Sequence, residues 1–155
     1  MFKKIALGSA AIAVVATAVI AGSHAGPHDA AIKARKSHMQ LYSHNLGLLG
    51  GMAQSKIEYD AGAAQAAATN LALLSQISQA RYWPQGSDNS AVEGTRALPA
   101  LWEDMSGVMA AAGKVTEAAA AMDAAAGNGL EALQGAMGAL GGACGGCHKA
   151  YREEQ

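Results

Sequence analysis

Residues 130–155 read LEALQGAMGALGGACGGCHKAYREEQ. Gly127-Asn128-Gly129 ends whatever precedes this stretch, and a helix is expected from Leu130 to about Glu153. Inside it stands Cys144-Gly145-Gly146-Cys147-His148. On a helix, residues at i, i+3 and i+4 share a face, so two thiols and one imidazole come from a single turn. C-x-x-C-H is the pattern of c-type haem attachment, in which the thiols meet the vinyl groups and the imidazole reaches the iron. One covalently attached haem c is therefore the expected cofactor, with Cys144 and Cys147 as its thioether positions and His148 as an axial ligand.

The neighbouring glycines fit that expectation. Gly138, Gly141, Gly142, Gly145 and Gly146 each weaken a helix by about 1 kcal/mol relative to Ala. A flat macrocycle lying against the helix offsets this, because missing side chains let the backbone approach closely and the group buries a large apolar area. A disulfide between the two cysteines would close a tiny loop and staple nothing distant. A thioredoxin-type dithiol would sit beside a βαβ pattern, which the sequence lacks. A zinc site would need a fourth ligand, for which only the distant His28, His38 or His44 could serve.

Working back from the terminal helix, three more helical stretches appear. One begins near Asp29, read as its N-cap, and runs to about Met52, with Ile32, Met39 and Leu46 on one stripe. A second is expected from about Tyr59 to Tyr82, with Leu71, Leu74, Ile77 and Ser78 on its inner side. The segment WPQGSDNSAVEGTRAL then breaks the pattern with Pro84, Gly86, Asp88, Asn89 and Gly94. Pro99 suits the first turn of a third helix, expected to continue unbroken through Leu101, Trp102, Met105, Val108, Met109, Val115 and Met122. The Ala-rich run within it is ordinary helix. Four such rods with short connections predict an all-α fold, an antiparallel up-down-up-down four-helix bundle.

The chain opens MFKKIALGSAAIAVVATAVIAGSHA, with Lys3 and Lys4 ahead of an apolar run and the small-x-small triplet Ser23-His24-Ala25. That order predicts a signal peptide over residues 1–25, export to the periplasm, and a single domain over residues 26–155. The apolar run is short for a spanning helix, which needs about 20 residues, so no membrane span is expected after cleavage. Loss of the two lysines leaves nine basic residues against twelve acidic ones, a net charge near −3, which points away from nucleic acid.

With its haem motif at the C-terminal end of four helices, the chain resembles the class II cytochromes c, the cytochrome c' family. The resemblance is carried by Arg35-Lys36-Ser37-His38-Met39, the Pro84-Gln85-Gly86-Ser87 loop, Pro99 to Trp102, and the terminal CGGCHKAYR. It implies that Met39, four residues after the first-helix arginine, faces the distal side of the haem. In the low-spin branch of the family Met39 would be the second axial ligand, a soft thioether that stabilises reduced iron. The protein would then be an electron carrier serving redox partner proteins rather than an enzyme. The alternative is a five-coordinate, high-spin haem that binds nitric oxide or carbon monoxide.

The resemblance also implies haem propionate contacts for Arg35 and Lys36, and a place for Arg152 beside the proximal pocket. Trp102 and Tyr151 are expected to pack against haem and core, while His38 and His44 are read as solvated surface residues. Relatives often pair through their first two helices, so a homodimer is a further expectation.

Overall fold

Alanine and leucine hold these segments in helix with little loss of side-chain freedom, and aspartate side chains cap two of the helix starts. The computed structural model describes residues 26–154. The expected signal peptide, residues 1–25, lies outside the described residues. Five helices follow one another: α1 (Asp29–Ala53), α2 (Ala61–Gln76), the single turn α3 (Ala100–Glu103), α4 (Met105–Ala125) and α5 (Leu130–Tyr151). Among the described residues there is no strand, only an isolated bridge between Ala97 and Arg152.

Asp29 is the first residue of α1 rather than its cap, and its carboxylate accepts the backbone N–H of Gly26 at 2.7 Å. Asp60 caps α2 by accepting the N–H of Ala63 at 2.6 Å. The second helix stops at Gln76, short of the expected Tyr82, and Ile77 is already extended. Leu71 and Leu74 are buried as expected, whereas Ile77 and Ser78 are exposed. The chain is drawn off the helix by bonds to Arg35, described below.

The third helix is broken where continuity was expected. Asp104 leaves helical geometry at φ −122° and ψ 63°, and its carboxylate accepts the N–H of Gly107 at 2.9 Å. A short acidic side chain bonding the backbone ahead of it favours a cap over a helix interior. α3 and α4 are therefore separate pieces.

Polar pairs give the relative directions. Asn70 donates to Asn45 across α1 and α2. Gln65 and Thr69 both donate to Asp123, while Thr116 donates to the carbonyl of Ser75, so α2 and α4 run antiparallel. Gln134 donates to the carbonyl of Ala53, and Gly50 faces Met137, so α5 returns antiparallel to α1. Tyr59 fastens the far turn by donating to the carbonyl of Ala126 and accepting from the N–H of Gly129. The bundle is up-down-up-down, in the ring order α1, α2, α4, α5.

Its largest fully buried apolar side chains, Leu49, Leu71, Met122, Leu133 and Leu140, lie below 2% exposure. Each contributes about 1.5–3 kcal/mol by leaving water. Alanines 64, 68 and 119 fill the spaces between them and allow close helix approach.

Candidate functional site

The register of α1 against α5 determines what stands near the cysteine motif. Ala53 meets Gln134, Gly50 meets Met137, and Leu46 lines a groove together with Gly141. Each step down α1 is matched by a step up α5. Continued at the same helical rise, that register would bring Ser43 level with Cys144 and Met39 level with His148. Tyr42 lies close enough to Cys144 that the thiol, after burial, is a second cause pushing the phenol up to about 12.

Cys144, Cys147 and His148 are half-buried on α5. Burial raises both thiols above their ordinary value, with Cys144 adding to the rise at Cys147. Burial also holds the His148 imidazole below its ordinary value, and the Arg152 and Arg96 guanidiniums push in the same direction. The surroundings of His148 are thus partly buried and cationic, which favours a neutral imidazole, the form that binds a metal.

The packing around this turn fits a large flat ligand. No residue of α4 before Ala118, and none of α5 after Leu140, is buried. Met39, Met105 and Met109 keep 37%, 50% and 65% of their surface exposed. A Cβ added at Gly141, Gly142, Gly145 or Gly146 would meet nothing within 4 Å, so packing against the rest of the chain does not require these glycines. The zinc alternative finds no support, since among the described residues no group of three or more His, Cys, Asp or Glu side chains is arranged to hold a metal ion.

Arg35 is 3% exposed, and its guanidinium is bound to the loop between α2 and α3. It donates to the Ser87 hydroxyl at 2.8 Å, the Ser87 carbonyl at 2.5 Å, the Thr95 hydroxyl at 2.6 Å and the Tyr82 carbonyl at 3.3 Å. Its Cζ lies 4.7 Å from the Trp83 ring centroid, within cation–π range. Four of the five guanidinium N–H groups are thereby used within the chain, and only Nε–H remains for a propionate. Lys36 is exposed.

His38 corrects the sequence reading. It is 4% exposed rather than solvated, wedged edge-on against Tyr42 and Tyr82. Its Nε2 is a buried atom without a hydrogen-bond partner, and burial lowers its pKa against the opposing influence of the Leu74 backbone. His38 belongs to the contact between α1 and α2, whereas His44 is exposed as expected.

Trp102 donates to the carbonyl of Trp83 at 3.1 Å, and their rings meet edge to face at 6.3 Å. Tyr151 donates to Asp104 at 2.7 Å. Ser87, Thr95, Arg96 and Asp104 were not singled out from the sequence as site-supporting residues. Each has one partner tens of residues away, Arg35 for Ser87 and Thr95, Glu153 for Arg96 and Tyr151 for Asp104, and no local pattern announces these.

Fold and motif together define a helical bundle built to carry a covalently attached haem, and comparison with known proteins agrees. The cytochrome c' family model matches residues 30–152. Cytochrome c-554 of Cereibacter sphaeroides is 42% identical over 123 residues, covering 79% of this chain and 80% of that protein. Cytochrome c' of the same species is 34% identical over 141 residues, covering 91% and 95%. The solved structure of cytochrome c' from Rhodobacter Spheriodes superposes with a TM-score of 0.82 at 34% identity, over 84% of this chain and 100% of that one. The chain belongs to the cytochrome c' family, and its cofactor is haem c, covalently bound.

Proposed function

We propose that the protein is an exported one-electron carrier whose haem is held by Cys144, Cys147, His148 and Met39. The observation that supports this reading is the α1–α5 register, which, continued past Gly50 and Met137, would bring Met39 level with His148 on the adjacent helix. Cys144 and Cys147 would hold the haem through thioethers, each formed by addition of S–H across a vinyl group. His148 would supply a nitrogen ligand to the iron and Met39 a thioether sulfur. The haem supplies a one-electron couple, and His/Met ligation raises its potential. Arg96 and Arg152 reinforce that tendency by disfavouring additional positive charge near His148.

Residues 1–25 act as the export signal, so the domain of residues 26–155 works in the periplasm. The absence, among the described residues, of any helix long and apolar enough to cross a membrane is consistent with this. The partners are redox proteins. A second copy is a further partner, for which exposed Leu41 on α1 and exposed Leu73 on α2 provide apolar surface.

The second reading is a five-coordinate haem that binds nitric oxide or carbon monoxide. It is favoured by the exposure of Met39, which keeps 37% of its surface accessible. Spectroscopy separates the two. A sulfur-to-iron charge-transfer band in the oxidised protein, with no response to carbon monoxide after reduction, is expected of the carrier. High-spin spectra with rapid carbon monoxide binding would overturn Met39 ligation. Met39→Ala is expected to open the distal side to carbon monoxide, and unchanged spectra in that variant would remove Met39 from the ligand set.

A further inference from the structure

The last turn of a helix ordinarily frays, because its final carbonyls lack partners within the helix. The last turn of α5, which carries His148, is instead tied down on several sides. Leu98 N–H donates to the Tyr151 carbonyl at 3.0 Å, and Glu153 N–H donates to the Arg96 carbonyl at 2.9 Å, on either side of the Ala97–Arg152 bridge. The Arg96 guanidinium also donates to the Glu153 carbonyl. These bonds hold the chain just beyond the helix.

A fourth tie acts on the helix itself. The Tyr151 hydroxyl donates to Oδ2 of Asp104 at 2.7 Å. The other carboxylate oxygen, Oδ1, accepts the Gly107 N–H at 2.9 Å and the Ser106 hydroxyl at 3.0 Å, so the acceptor is fixed as the cap of α4. Tyr151 follows His148 by three residues and Cys147 by four, which places all three on one face of α5. A side chain anchored to another helix resists rotation of its own helix about the axis. Such rotation is the motion that would swing the imidazole.

Gly107 makes the contact possible. A Cβ at that position would overlap both Asp104 Oδ2 and Tyr151 Oη. A larger residue there would force the hydroxyl or the carboxylate to shift from this contact over the start of α4.

We infer that Tyr151 and Asp104, meeting over Gly107, are positioning residues that fix the angle of the His148 imidazole about the α5 axis. This rests on the reading of His148 as an axial ligand. It assigns a role to side chains that touch neither the thioether positions nor the imidazole through any hydrogen bond in the structure.

The test uses the holoprotein. Proton NMR of the oxidised form gives the hyperfine-shifted haem methyl pattern, which follows the orientation of the axial imidazole plane. Resonance Raman of the reduced form in a Met39→Ala background gives the iron–imidazole stretch. Tyr151→Phe and Gly107→Ala are each expected to change the methyl pattern and to lower or broaden the stretch. The double variant is expected to go no further than the single ones, because both break the same contact.

Asp104→Asn keeps the shape of the cap and provides a milder third variant, expected to give a smaller shift in the same direction. A fall in Tm with the methyl pattern and stretch unchanged in all three variants would overturn the positioning role. His148→Ala separates this from failure of the underlying reading. If that variant keeps the parent spectrum, His148 is not the ligand; if it loses the spectrum while the other variants keep theirs, only the positioning role is lost.

Discussion

The two ends of the bundle are closed by different means. At Leu49 and Met52 on α1, and along Leu71, Met122, Leu133 and Leu140 on the other helices, apolar side chains interlock over small alanines. At the motif end the buried residues include Arg35, His38, Ser87, Asp88 and Thr95, while α5 beyond Leu140 has none. One end is specified by apolar shape. The other is specified by a polar loop wrapped over an arginine, together with the ring system that the cysteines secure.

The contrast predicts that mutations at the two ends fail differently. Replacing both Cys144 and Cys147 by Ala is expected to abolish covalent retention of haem completely, as judged by extraction in acid and organic solvent. The effect should fall on the motif end, leaving helix content at the other end largely intact by circular dichroism. Leu133→Ala in the dense end is expected to cost about 2–5 kcal/mol in denaturant unfolding, with the visible spectrum unaltered. A spectral change in that variant would break the separation between the two ends.

Arg35→Met removes four donated hydrogen bonds while keeping an apolar stem. It is expected to cost about 2–3 kcal/mol and to release the loop between α2 and α3, measured by hydrogen exchange over residues 82–95. Asp60→Ala, which removes only the α2 cap, is expected to cost about 1 kcal/mol. The smallest effect is acid-dependent. The Tyr151 hydroxyl, and then the Gly107 N–H and Ser106 hydroxyl, hold the Asp104 carboxyl below its ordinary value. A depressed carboxylate contributes stability above its unfolded pKa and loses it as pH falls through the folded one. The difference in Tm between the parent protein and Tyr151→Phe should therefore vanish below that lowered value.

Much of this division is legible in the sequence, for a physical reason. Helix periodicity, the glycine-rich turn at Gly127–Gly129 and the C-x-x-C-H spacing are local, and local patterns survive in one dimension. The end of α2 and the break at Asp104 are not local in that sense. α2 stops at Gln76, and the residues after it are gathered by an arginine more than forty positions earlier in the chain. Asp104 becomes a cap as Gly107 and Tyr151 converge on it, although the apolar pattern runs straight through that position. His38 was misjudged because a histidine between polar and apolar neighbours carries no mark of burial until α2 packs against it. Arg35 is legible as a propionate-contact candidate only through family resemblance, and neither its burial nor its loop partners are legible at all.

The ring order of the helices leaves one seam, between α1 and α5, that joins the beginning of the domain to its end. Gly47, Gly50 and Gly51 on one side and Gly141 on the other line a groove there. Closing so long a chain costs only about 0.6 kcal/mol more for each doubling of length, so the penalty falls mainly on timing. A polypeptide delivered N-terminus first presents the three long helices α1, α2 and α4 before α5 arrives, and α5 bears the cysteines. Assembly and cofactor capture therefore converge on the same late event, the zipping of a glycine-lined joint.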